Sequence, residues 1–159
     1  MAVRQRKVAR HTRGDNASAL IYACSLGDAM ALQGVKLVAV TGNSMGWYSA
    51  LACAGALSPE AGFEVVNTMG RLMQKHLIGG QLIYPFMGPD WTAAPARKAE
   101  LLALTYNINA RPSHMLALSI DLGGLLVLAG NEAGLAAFEA AVPPVEGRFP
   151  MRLGNHAAF

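Results

Sequence analysis

The stretch Gly42-Asn43-Ser44-Met45-Gly46 constrains this chain more than any other, because it sets one serine between two glycines where an apolar run meets a run of small residues. The run before it, "VKLVAVT" (35 to 41), does not alternate, the pattern of a strand covered on both faces in a parallel sheet. Residues 45 to 56 follow and read as a helix poor in bulky side chains. A chain that passes this sharply from strand to helix needs unusual backbone angles at the turn residue. Side chains at nearby positions would clash, so a glycine is expected two residues away on each side. The Ser44 hydroxyl then stands exposed above the sheet, near a helix N-terminus. The backbone N–H of Met45 points toward the same space and is a candidate oxyanion donor, a contribution of roughly 3 kcal/mol. The spacing marks Ser44 as a candidate nucleophile.

The surroundings read as follows. Residues 16 to 33 form a helix in which Leu20, Ala23, Cys24, Gly27 and Ala31 recur at helical spacing, small enough to pack closely against a sheet. Gly34 ends it. Ser58-Pro59-Glu60 opens a third helix: Ser58 is the N-cap, Pro59 fits the first helical position and Glu60 complements the dipole. Phe63, Val66, Met69 and Met73 lie on one stripe of that helix. From about residue 80 the texture changes. "GGQLIYPFMG" reads as a strand and "PARKAELLALTY" as a helix. "HMLALSIDL" and "GLLVLAG" read as strands split by Asp121 to Gly124. "NEAGLAAFEAAV" reads as a helix capped by Asn131, and "GRFPMRL" as a last strand weakened by Pro150. The order βαββαβ is that of a ferredoxin-like split unit.

Composition sets the outer bounds. The 159 residues are enough for one ordinary domain or a piece of a larger one. They are 53% hydrophobic and 14% charged, against a usual charged share of about 25%, so an apolar partner surface or further chain is expected over the core. There is no run of about 18 apolar residues of the kind that crosses a membrane. Arg4, Arg6, Lys7, Arg10 and Arg13 make the N-terminus basic, without interleaved aromatics that would stack on bases and without the apolar stretch of a secretory signal. Cys24 and Cys53 sit among small apolar residues and read as buried thiols of a cytoplasmic protein. The fold class is α/β: a parallel-sheet, α/β-hydrolase-like core segment with an inserted ferredoxin-like βαββαβ subdomain. The divisions are 1–15, a basic and poorly ordered segment; 16–79, the core segment with the nucleophile turn; 80–153, the subdomain; and 154–159, a truncated return to the core.

The stretch "GNSMGWYSALACAGALSPEAGFEVVNTMGRLMQ" resembles the malonyl-CoA:acyl carrier protein transacylases and the acyltransferase domains of polyketide synthases. Their usual text is GHSLGEY, then A-L-x-x-A-G-x-L-S, then a helix ending R-G-x-x-M-Q. The chain agrees at Gly42, Ser44, Gly46, Tyr48, Ala50, Leu51, Ala54, Gly55, Leu57, Ser58, Gly70, Met73 and Gln74. "LLVLAGNEAGLAAFEAAV" resembles a later strand and helix of the same family. The resemblance implies that Ser44 takes an acyl group from coenzyme A as an ester and passes it to the phosphopantetheine thiol of an acyl carrier protein, in fatty acid or polyketide synthesis. It implies ping-pong kinetics and no metal or redox cofactor. The implied partners are acyl-CoA and acyl carrier protein, with no nucleic acid and no membrane. An acyl hydrolase acting on acyl-carrier thioesters, and an inactive truncated module, are the alternatives.

Departures from the family text carry their own expectations. The residue before the nucleophile is usually His and is Asn43 here, which hydrogen-bonds but does not titrate. The Arg that pairs with a malonyl carboxylate in malonyl-specific members is replaced by Met69, and Arg71 lies about 200° around the helix from it. An unpaired buried carboxylate is costly, so an uncharged acyl group is expected. No GQG motif precedes residue 16. Alignment on the family's "PVSxxFH" text puts the general base immediately after Phe159, with His156 four positions earlier as the alternative. The chain thus reads as an internal portion of an acyltransferase.

Overall fold

A computed structural model describes residues 13–88, 90–154 and 156–158. The basic positions before Arg13, and His11, lie outside the described residues. The chain divides into two compact units, Met1–Lys75 and His76–Phe159.

Among the described residues the first unit contains three helices: α1 (Gly14–Ala31), α2 (Gly46–Cys53) and α3 (Pro59–Lys75). α3 begins as its sequence dictates. The Ala61 amide donates to Ser58 Oγ at 3.2 Å, Pro59 opens the first turn and Glu60 follows. α2 ends on Gly55, whose φ of 75° is the left-handed conformation glycine adopts without a Cβ penalty. There the Ala56 amide reaches Leu51 O at 2.8 Å and the Gly55 amide reaches Ala52 O at 3.0 Å, the paired bonds of a Schellman cap.

The unit's core is Tyr22, Ala52 and Val66, with Leu26, Met45 and Tyr48 packed around it. α1 and α3 approach closely because α3 carries glycine where they touch. A Cβ on Gly70 would lie 2.4 Å from Gly14 O, and one on Gly62 would lie 2.4 Å from the Tyr22 hydroxyl. That hydroxyl donates to Pro59 O at 2.7 Å. The same approach lets the Gly14 amide donate to Gln74 Oε1 at 3.2 Å.

Three expectations are corrected here. Residues 35 to 41 are not a strand, and no strand occurs among the described residues of this unit, so the hydrolase-like parallel core is not present there. A strand is defined by its ladder, and these residues have no neighbour to pair with among the described residues. The α1 face of Leu20, Ala23, Cys24, Gly27 and Ala31 is exposed, and the helix buries Tyr22 instead. A helix that is apolar on several faces does not declare which face it will bury, and the large Tyr22 ring with its hydroxyl bond decided the matter. Cys24 is accordingly exposed and Cys53 half-buried, so neither is a fully buried thiol.

The second unit runs β1 (Gly80–Pro85), α4 (Pro95–Asn109), β2 (Leu116–Asp121), β3 (Leu125–Gly130), α5 (Glu132–Ala141) and β4 (Met151–Leu153). The strands form one antiparallel sheet in the order β2-β3-β1-β4, with Gly80 opposite Gly130 and Pro85 opposite Leu125. This is the split βαββαβ arrangement that the element order predicts. Pro85 is tolerated inside β1 because β4 pairs only with Gln81, Leu82 and Ile83, so no ladder bond is lost at the proline. Leu82 and Tyr84 of β1 and Leu126 and Leu128 of β3 pack against Leu101 and Ile108 of α4 and Leu135 and Phe138 of α5. Tyr84 and Phe138 meet edge to face at 5.7 Å between ring centres, and the Tyr84 hydroxyl donates to Pro143 O at 2.8 Å. Asn131 caps α5 by accepting from the Gly134 amide at 2.9 Å. Among the described residues no helix is long and apolar enough to cross a membrane.

Candidate functional site

In the first unit the chain runs from Val35 to Gly42 without turn or bend and then folds tightly through Asn43, Ser44 and Met45 into α2. Ser44 has φ 54°, the left-handed region that non-glycine residues rarely occupy. Such a conformation costs roughly 1–3 kcal/mol and persists only where its surroundings enforce it. The enforcement is visible in the hydrogen bonds. The Gly46 amide donates to Asn43 O at 2.8 Å, and the Trp47 amide donates to Ser44 O at 3.0 Å. Tyr48 and Ser49 amides then share Met45 O at 3.1 and 3.3 Å, which starts the helix.

Gly42 is the steric condition of the turn. A Cβ there would lie 1.9 Å from Gly46 O and 2.7 Å from the Trp47 amide nitrogen. Gly46 is different: a Cβ at that position would meet nothing within 4 Å among the described residues. The expected pair of flanking glycines thus reduces, within this unit, to one glycine that the turn requires.

Ser44 and Asn43 are both exposed, so the hydroxyl is open to an incoming molecule. Met45 is half-buried against the Tyr22, Ala52 and Val66 core, which fixes the residue after Ser44. Its amide donates to no backbone carbonyl among the described residues. That donor is available beside Ser44, as an oxyanion contact requires. Met69 is half-buried on α3, next to buried Gly70, while Arg71 is exposed. Two features had no sequence signal. Trp47 lies three residues past Ser44 and is 64% exposed, an apolar ring turned to solvent. Ser49, two residues further along α2, is buried, and its hydroxyl has no partner among the described residues.

The second unit carries the one candidate histidine of the C-terminal region. His156 is exposed, and its Nδ1 lies 2.7 Å from Gly154 O. The segment around it is tied to β1: Gln81 Nε2 donates to Ala157 O at 2.6 Å and the Ala158 amide donates to Ile78 O at 2.9 Å. A shallow polar cleft of about 470 Å³ beside it is lined by Gln81, Glu132, Glu139, Arg152 and His156. Arg152 holds Glu139 through two bonds of 2.7 Å and Glu132 through bonds of 3.1 and 3.3 Å, so its charge is spent within the cleft wall. His76 is exposed just past α3, and His114 Nδ1 lies 2.8 Å from Pro112 O.

The structural neighbours are malonyl-CoA:acyl carrier protein transacylases and polyketide synthase acyltransferase domains, and the chain shares the fold of the part of those proteins that it covers. The transacylase of Synechocystis sp. PCC 6803 superposes with a TM-score of 0.76 at 22% identity, over 98% of this chain and 48% of that one. The acyl-carrier-protein S-malonyltransferase of Burkholderia pseudomallei 1710b gives 0.73 at 16% identity, over 96% and 48%. A type II polyketide synthase acyl-carrier protein in complex with its malonyl-transacylase gives 0.66 at 21% identity, over 87% and 44%. In sequence, a phenolphthiocerol/phthiocerol polyketide synthase subunit of Mycobacterium tuberculosis is 40% identical over 79 residues, which are 50% of this chain and 4% of the subunit. The chain therefore spans about half the length of those transacylases and a small part of that subunit. No protein-family profile matches it.

Proposed function

We propose that Ser44 is the nucleophile of an acyl transfer from coenzyme A to an acyl carrier protein. The observation that carries the reading is the left-handed φ of Ser44, enforced by Gly42 and followed directly by α2. A serine held this way is a strained residue presented at a helix start. In the first half-reaction Ser44 Oγ attacks the thioester carbonyl carbon. A carbon–oxygen bond forms, the carbon–sulfur bond breaks, and the proton from Ser44 leaves with the coenzyme A thiol. The Met45 amide stabilises the negative oxygen that develops between these events. In the second half-reaction the phosphopantetheine thiol attacks the Ser44 ester, gains the acyl group and returns its proton to Ser44. The covalent intermediate makes the sequence ping-pong. No cofactor takes part in this scheme.

The acyl group proposed is uncharged. Met69 occupies the position at which the resemblance expects an arginine, and its thioether offers an apolar contact in place of a charge-assisted pair. Each buried methylene of the acyl chain adds roughly 0.8 kcal/mol. The testing experiment is product analysis with acetyl-, butyryl- and malonyl-CoA and a phosphopantetheinylated carrier protein. Acyl-carrier thioester from the unmodified chain, absent with Ser44→Ala, is the expected result. Free acid in its place would assign the site to hydrolysis.

A further inference from the structure

The two sides of α2 differ in character. Tyr48, Ser49 and Ala52 face the core of the first unit. Trp47 and Leu51 stand on the other side, four residues apart and so one above the other along the helix, and are 64% and 44% exposed. The turn that holds Ser44 also sets the position of Trp47. Its amide donates to Ser44 O at 3.0 Å, and its nitrogen lies 2.7 Å from where a Cβ on Gly42 would be. A helical side chain leans back toward the N-terminus and covers the turn before its own Cα. For Trp47 that turn is the one through Asn43, Ser44 and Met45, so its indole covers the ground beside the Ser44 hydroxyl. Leu51 leans back toward the indole in the same way. The chain carries no charged residue between Lys36 and Glu60, so this stretch is apolar without an ion-pair partner of its own. The family text GHSLGEY has a glutamate where this chain has Trp47, so the indole is a departure from that text.

We infer that Trp47 is a specificity-determining residue whose indole stacks on a flat, aryl-substituted acyl group brought to Ser44, with Leu51 extending the apolar strip. The inference rests on the acyl-transfer reading and names the class of thioester within it. Coenzyme A carries another flat group, its adenine, but that ring sits at the far end of the pantetheine arm from the carbonyl that Ser44 attacks. The arm itself is the same in every thioester, so contact with it does not select among acyl groups. An indole beside the nucleophile meets what is bonded to the carbonyl carbon. Offset stacking of two aromatic rings adds a gain beyond area burial that a puckered saturated ring of the same size does not receive, a preference of about twofold to tenfold.

The test compares phenylacetyl-CoA with cyclohexylacetyl-CoA, two acyl groups of like size that differ in flatness. The measurement is kcat/KM for acylation of Ser44 in the full chain, followed by mass spectrometry of the Ser44 peptide. The unmodified chain should favour phenylacetyl by about fivefold. Trp47→Leu should bring the ratio near one, and Trp47→Phe should restore the preference. A ratio near one in the unmodified chain, or the same preference in Trp47→Leu, would overturn the inference. A second measurement needs no chemistry. The chain has two tryptophans, so Ser44→Ala combined with Trp91→Phe leaves Trp47 as the sole indole fluorophore. Phenylacetyl-CoA should quench its emission at concentrations where coenzyme A alone does not. Absence of acylation by every thioester would remove the acyl-transfer reading, and the emission would then decide the inference: quenching by phenylacetyl-CoA would uphold the aryl contact, and no more quenching than coenzyme A gives would overturn it.

Discussion

A Cβ added to Gly42 would lie 1.9 Å from the carbonyl oxygen of Gly46, so the residues either side of Ser44 approach each other backbone to backbone. That contact, with the bond from the Gly46 amide to Asn43 O, closes the turn on which Ser44 is held.

Gly42→Ala therefore forces the turn open. Displacing a reacting group by about 1 Å costs on the order of a hundredfold in rate, and a loss of that size is expected in the acylation of Ser44. Gly46→Ala, with open space at its Cβ, should leave the rate unchanged. Stopped-time acylation of both variants by acetyl-CoA decides between a steric need at one glycine and at two.

Ser49 is buried in α2, and its hydroxyl has no partner among the described residues. An unsatisfied buried group costs roughly 1–3 kcal/mol. Ser49→Ala should thus raise the stability of the first unit by about 1 kcal/mol, read by urea denaturation followed at Tyr22 and Tyr48. A loss of stability would show that the hydroxyl is bonded.

Asp121 in the second unit is held below the usual carboxylate range, first by its hydrogen bond with Lys98 and next by the Gly123 amide. A lowered folded-state pKa contributes stability above the unfolded value, near pH 3.9, and that contribution is lost as pH falls through the lower folded value. Asp121→Asn should therefore flatten the acid limb of the second unit's stability below about pH 4 and leave its shape above that unchanged. An identical acid limb in the variant would contradict the assignment.

Met69→Arg should shift kcat/KM toward malonyl-CoA relative to butyryl-CoA, because a guanidinium pairs with the free carboxylate in two bonds. A malonyl preference in the unmodified chain would contradict the uncharged substrate.

Much of the second unit was legible because its elements are locally determined. Asn131 caps α5, the alternation of Leu82 and Tyr84 defines one face of β1, and Asp121 to Gly124 mark the turn between β2 and β3. The first unit was legible where capping and turn chemistry act over a few residues, as at Ser58 and Ser44. It was not legible where the outcome depends on a distant partner. "VKLVAVT" has the side chains of a buried strand, but only a neighbouring strand can make it one. α1 is apolar on more than one face, so the burial of Tyr22 and the exposure of Cys24 follow from packing on Gly62 and Gly70 and not from periodicity. At the candidate site, the tight turn at Ser44 was readable from glycine spacing, whereas the burial of Ser49 and the exposure of Trp47 had no local signature.

The central claim is that Ser44 forms an acyl ester. Its most direct test is peptide-mapped mass spectrometry of the chain after incubation with acetyl-CoA, in parallel with Ser44→Ala. The account predicts an acetyl mass shift on the peptide that contains Ser44 in the unmodified chain, released by a carrier-protein thiol, and no shift on that peptide in the variant. An equal adduct in Ser44→Ala, or an adduct confined to another residue, would contradict it.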